Sequence, residues 1–218
     1  MSRIQPSEAT AGFSLLELLL ALSLGLVLSG VMLQGLIQEG QNGQRLARLL
    51  RERAVQRRTL ALVKADLAQA MAISPTPQLE QHGCGLSGRL PVLHLSTAAG
   101  AITYAVGPAP SPIWRGRVLM RCGPSYGLDG QLSEGAAPQN RVVIDGLAEA
   151  PPRWSGCAAL LGGTAGNSID LAMSSQQPFS ACLDGSSGLV ALRLVQEFAG
   201  RAPSRPLLIT SEVLSGSV

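Results

Sequence analysis

The chain has 218 residues and a formal net charge of +3, with 46% hydrophobic and only 14% charged residues. A mean hydropathy of +0.25 excludes a disordered chain, which is charge-rich and poor in apolar residues, and points to a membrane segment. The mild basicity and the 3% aromatic content argue against a general nucleic-acid binder or a base-stacking platform.

Residues 1–12, MSRIQPSEATAG, are polar, end in Gly12 and carry two cancelling charges, Arg3 and Glu8. Phe13 to Leu36 then runs 24 residues with eleven leucines and a single charge, Glu17. As a helix this spans about 36 Å, against a hydrocarbon core of roughly 30 Å. Leucines at about −0.5 kcal/mol each outweigh one carboxylate costing about 3 kcal/mol, so the segment inserts despite Glu17. A secretory signal has its small-residue cleavage site after the apolar core; here Gly12 precedes it. A cut after Gly12 leaves the apolar helix on the mature chain and creates an α-amino group at Phe13. That amine lies one helical turn from Glu17, where positions i and i+4 share a face. A carboxylate in hydrocarbon requires such a partner.

The stretch Gly12-Phe13-Ser14-Leu15-Leu16-Glu17-Leu18-Leu19 resembles the class III signal of type IV pilins and type II secretion pseudopilins. The resemblance implies cleavage by prepilin peptidase between Gly12 and Phe13, methylation of the new terminus, and an assembly role for Glu17. It further implies a single-pass protein of the inner membrane, lipid-embedded before assembly, with an extracytoplasmic head. Its partners are then other pilin or pseudopilin subunits and an inner-membrane platform driven by a separate ATPase; no cofactor is implied. No proline falls between Phe13 and Ser74, whereas major pilins often carry a helix-kinking proline, so the resemblance favours a minor pilin or pseudopilin.

Beyond Gly35, Gly40 and Gly43 the chain reads RLARLLRERAVQRRTLALVKADLAQAM over residues 45–71. Helix formers dominate, predicting one continuous helix to about Ile73. Leu46, Leu49, Leu50, Leu60, Val63, Leu67 and Met71 follow the spacing of one apolar face. Arginines 45, 48, 51, 53, 57 and 58 occupy the remainder. By charge alone, this block places its side of the membrane in the cytoplasm; the pilin resemblance places the leader there instead. Six arginines also allow a phosphate partner, so a nucleic-acid-binding tip subunit stands as an alternative.

From Pro75 onward, prolines, glycines and serines punctuate short β-branched runs, a strand-and-turn pattern. Expected strands are 92–96, 101–106, 117–122, 141–144, 168–173, 189–195 and 207–213. The predicted fold class is α+β, a long N-terminal helix packed through its second half on an antiparallel sheet. Four segments follow: a leader at 1–12, a membrane and filament-core helix at 13–37, an amphipathic arginine-rich continuation at 38–74, and a β-rich head at 75–218. Ile102-Thr103-Tyr104, Trp114-Arg115 and the strand from Arg141 to Leu147 resemble J/W-type minor pilins and pseudopilins, which sit at or near the filament tip.

Cys84, Cys122, Cys157 and Cys182 are 38, 35 and 25 residues apart, without the close pairs of a zinc site. In an oxidising compartment such a set forms two disulfides; reduced, it is four small buried hydrophobes. Cys84–Cys122 with Cys157–Cys182 is the nearest-neighbour choice among three connectivities.

Gly123-Pro124-Ser125-Tyr126-Gly127 is a literal G-x-S-x-G. A hydrolase needs a helix after that serine and a histidine later in the chain, yet His82 and His94 both precede it. The pentapeptide is therefore read as a turn, His94 as a hydrogen-bonded structural histidine, and the chain as no enzyme and no metal site. The reading is a filament subunit; the alternative outside that class is a single-pass membrane-anchored extracytoplasmic binding domain.

Overall fold

The computed structural model describes residues 14–75, 84–86, 88–162, 168–198 and 206–216, with side chains of 35–42 and 45 left aside. The chain divides into two compact units, one ending at Arg51 and a larger one beginning at Glu52.

Helix α1, Leu15–Ala68, covers 54 residues free of proline. In the first unit every residue from Ser14 to Gln34 is exposed. In the second, α1 buries Gln56, Thr59, Leu60, Val63, Asp66 and Leu67, a stripe at three-and-four spacing. Arg53, Arg57, Arg58 and Lys64 remain exposed on its other faces. Leu46 and Leu50, expected on the same apolar face, are 58% and 54% exposed.

The helix ends earlier than its composition suggests. Gln69 N donates to Asp66 O at 3.2 Å, and Ala70–Ser74 forms strand β1. Helix propensity is a weak preference there, and pairing with a neighbouring strand overrides it. Met71 consequently leaves the apolar face and is 69% exposed. Pro75 follows the strand and lacks the N–H to continue it.

The remaining elements are β2 Leu90–Thr97, β3 Gly100–Pro108, β4 Arg117–Gly123, β5 Gln139–Leu147, α2 Cys157–Leu160, β6 Ser168–Asp170, β7 Phe179–Asp184, β8 Leu189–Phe198 and β9 Leu207–Gly216. All pairings are antiparallel. The order is β1-β2-β3-β4-β5-β8-β7-β6, with β9 also on β8. The expected strand at 168–173 is shorter: only Ser168–Asp170 pairs, and Leu171–Gln176 is a 3-10 segment with Ala172 and Met173 at φ 52°. Ala172 N donates to Pro75 O at 3.0 Å, drawing the β1 end of the sheet toward the β6 end and curling it around α1.

Inside the curl, Leu60, Val63 and Leu67 meet Leu93, Leu95, Ile102, Val106, Leu119, Ile144, Phe179, Leu192 and Leu194. Each such side chain contributes about 1.5–3 kcal/mol of burial. The result is α+β: one long N-terminal helix, apolar at its start, whose later part packs on a curved antiparallel sheet. That arrangement is consistent with the pilin-like fold class. A smaller cluster of Trp154, Cys182 and Ala191 is completed by Cys157, Leu160 and Leu161.

Candidate functional site

The beginning of α1 bears the residues that the sequence singles out. Gly12 and Phe13 lie outside the described residues, as does His82. Glu17 closes a capping box with Ser14: Ser14 N donates to Glu17 Oε2 at 3.3 Å, and Glu17 N donates to Ser14 Oγ at 3.2 Å. Two of the helix's orphan N–H donors are thereby satisfied. The carboxylate also complements the positive end of the helix dipole. Leu15–Gln34 is the one helical stretch among the described residues long and apolar enough to cross a membrane.

The other end of α1 carries a polar node that the sequence reading missed. Asp66 is fully buried. Its Oδ2 accepts from Tyr104 Oη at 2.5 Å and Arg121 Nε at 2.7 Å, and its Oδ1 accepts from Tyr126 Oη at 2.6 Å and Arg121 Nη2 at 3.0 Å. Arg121 Nη1 donates onward to Pro124 O at 2.8 Å, and its guanidinium lies 5.4 Å from the Tyr126 ring centre. Burial, and then Asp66, push both phenols above their ordinary pKa of 10.0. Burial pulls the Arg121 guanidinium down, but its bond to Asp66 and the carboxylate's charge outweigh that, so its net shift is upward.

A buried ion pair with every lone pair occupied specifies geometry more than it adds stability. Here one carboxylate fixes α1 against β3, β4 and the turn after β4. Gln56, further back on the same stripe, donates to Ile209 O at 3.0 Å and accepts from Ser211 Oγ at 2.6 Å. Gln56 and Asp66 thus set the rotation and register of α1 on strands that are distant in sequence.

The remaining candidates fall into place around this frame. Ser125 belongs to a turn closed by Ser133 N to Ser125 O at 2.8 Å and Gly127 N to Gln131 O at 2.8 Å, with no helix following. His94 is buried on β2, its Nδ1 2.7 Å from Thr103 Oγ1. Cys84 is joined to Cys122 and Cys157 to Cys182; the first bridge ties the segment before β2 to β4, the second ties α2 to β7. Arg48, Arg51, Arg53, Arg57 and Arg58 are exposed along α1.

The S-x-x-E spacing of Ser14 and Glu17 is a signal that the sequence itself offers. No spacing marks Asp66, whose partners lie 38, 55 and 60 residues away. Compared with protein-family models, curated proteins and solved structures, the chain matches none.

Proposed function

We propose that this chain is a minor pilin or pseudopilin, a structural subunit of a type IV pilus or type II secretion filament. The observation that carries the reading is one helix with two roles. Its first part is exposed, apolar and membrane-length with an acidic first turn, and its last part is the central element of a curled β head. An anchor needs Glu17 only as a cap, whereas a carboxylate at the start of a membrane-length helix also suits a charged partner.

In this reading prepilin peptidase cuts between Gly12 and Phe13, and methylation follows on Phe13. The subunit waits in the inner membrane with its head outside the cytoplasm, where the Cys84–Cys122 and Cys157–Cys182 bridges are stable. Extraction by an assembly platform with its own ATPase then moves the apolar helix from lipid into a core formed by other subunits. Glu17 pairs there with the Phe13 amine of its own chain or a neighbour's.

Mass spectrometry of the mature N-terminus from the native host tests this reading. An N-methylated Phe13 is the expected result; an intact Met1 where the host's other prepilins are matured overturns it in favour of a membrane-anchored binding domain. The exposed arginines of α1 favour a second reading, a nucleic-acid-binding tip subunit. It requires affinity that falls steeply with salt and weakens when Arg53, Arg57 and Arg58 are replaced.

A further inference from the structure

The turn between β3 and β4 presents two large apolar side chains: Ile113 is 80% exposed and the neighbouring Trp114 36%. Isolated exposed apolar residues are ordinary, but these two are adjacent, follow an exposed Pro112, and are held by a well-braced turn. Trp114 N donates to Ser111 O at 3.2 Å and Gly146 N to Arg115 O at 2.7 Å. Arg115 N donates to Asp145 Oδ2 at 3.0 Å, and the Arg115 side chain reaches Asp145 at 3.6 Å and Glu52 at 3.9 Å. A surface loop so tethered does not need apolar side chains to keep its shape.

Glu52 is the residue through which α1 joins the head unit. The loop therefore sits beside the residue at which the head unit begins. Arg115 engages the carboxylates Glu52 and Asp145, and on α1 the residue after Glu52, Arg53, is exposed, as are Arg57 and Arg58 further along. An amphipathic aromatic beside an aliphatic side chain, with exposed guanidiniums on the same unit, is a combination that settles at an anionic bilayer surface.

We infer that the Ile113–Trp114 loop is a lipid-contact site of the head for an anionic bilayer surface. The tether permits it. Residues 35–51 continue α1 for about 26 Å beyond the apolar stretch, and they contain Gly35, Gly40 and Gly43, which lower the stability of a helix. Exposed Leu46 and Leu50 alternate with Arg48 and Arg51, the composition of a helix that lies in the interface. Lipid contact shields Trp114 until extraction. This inference rests on the membrane-held part of the proposed function and is independent of incorporation into a filament.

The chain's two tryptophans make the test direct, because Trp154 is only 6% exposed and Trp114 is the accessible one. The full-length chain is reconstituted in vesicles of phosphatidylcholine, with or without phosphatidylglycerol, carrying bromine on the acyl chains near the headgroup. The component of emission present in wild type and missing in Trp114→Phe is expected to be blue-shifted and largely lost to bromine quenching. The loss should be greatest with phosphatidylglycerol and should diminish in Arg53→Glu/Arg57→Glu and at high salt. Equal Trp114 emission in brominated and ordinary vesicles, from a chain that floats with them, overturns the inference and leaves the anchoring intact. Shielding that follows the protein-to-lipid ratio rather than lipid charge overturns it in favour of a second copy as the cover. A chain that does not float overturns the anchoring and this inference together.

Discussion

Glu17 caps α1, the proposed filament role adds a second and chemically different use, and Glu17→Gln separates the two. In the capping box the side chain accepts one hydrogen bond from Ser14 N at 3.3 Å, which a neutral amide oxygen supplies equally well. As partner of a terminal ammonium it must be charged, and a charge-assisted bond is worth about 1–2 kcal/mol more than a neutral one. Glu17→Gln is therefore expected to insert and remain helical but to enter sheared filaments roughly ten-fold less than wild type. Unchanged incorporation, read by immunoblot of the filament fraction, assigns Glu17 to the cap alone. Asp66 is the opposite case, a charge whose partners are all present. Asp66→Asn leaves Arg121 buried without a counter-charge, at an expected cost of about 3–5 kcal/mol in urea unfolding. Tyr126→Phe removes a single bond and should cost about 1 kcal/mol. An Asp66→Asn chain as stable as wild type shows that the node does not hold the helix.

Close backbone approach makes a sharper test of how the strands are set together. A Cβ built on Gly107 of β3 lies 2.5 Å from Arg89 Cγ and 2.9 Å from Arg89 Cα, just before β2. The Cα belongs to backbone and cannot move aside as a side chain does, so Gly107→Ala should cost about 1–3 kcal/mol through overpacking. Gly130→Ala, with nothing within 4 Å but a φ of +77°, carries only the strain of its backbone conformation and should cost about 1 kcal/mol. Equal thermal midpoints for the two variants contradict this account. The glycines that bound these strands were visible in the sequence, and so were most of the strands, because β-branched runs such as Val142-Val143-Ile144 lie between turn formers. Strand β1 was hidden: Ala70-Met71-Ala72 is good helix material, and only pairing with β2 makes it a strand. Strand β7, Phe179–Asp184, lacks a β-branched residue altogether and is specified by its neighbours β6 and β8. The Asp66 node was illegible for the same reason, since helix, strand and turn meet there only after the sheet has curled.

The chain contains two tyrosines, and both donate to Asp66, so the phenol absorbance of the entire protein reports on one buried node. In the unfolded chain both phenols titrate near pH 10. In the native state burial and the adjacent carboxylate raise both, so above about pH 10 the folded chain retains protons that the unfolded chain has lost. Fewer protons on the unfolded state means that stability falls as pH rises, and the fall continues until the native phenols ionise. Below about pH 10 both states are protonated and the contribution of these phenols is complete. The thermal midpoint is therefore expected to be insensitive to the phenols from neutrality to about pH 9 and to decline beyond about pH 10. Phenolate absorbance should rise late and in step with loss of far-ultraviolet dichroism, because ionisation is coupled to opening of the head. Tyr104→Phe/Tyr126→Phe is expected to be less stable at pH 7 yet to show a shallower alkaline decline. Phenolate signal developing near pH 10 in a chain with native dichroism means that water reaches the tyrosines freely. In that event the clamp between α1 and the sheet must be sought in Gln56 and the apolar stripe instead.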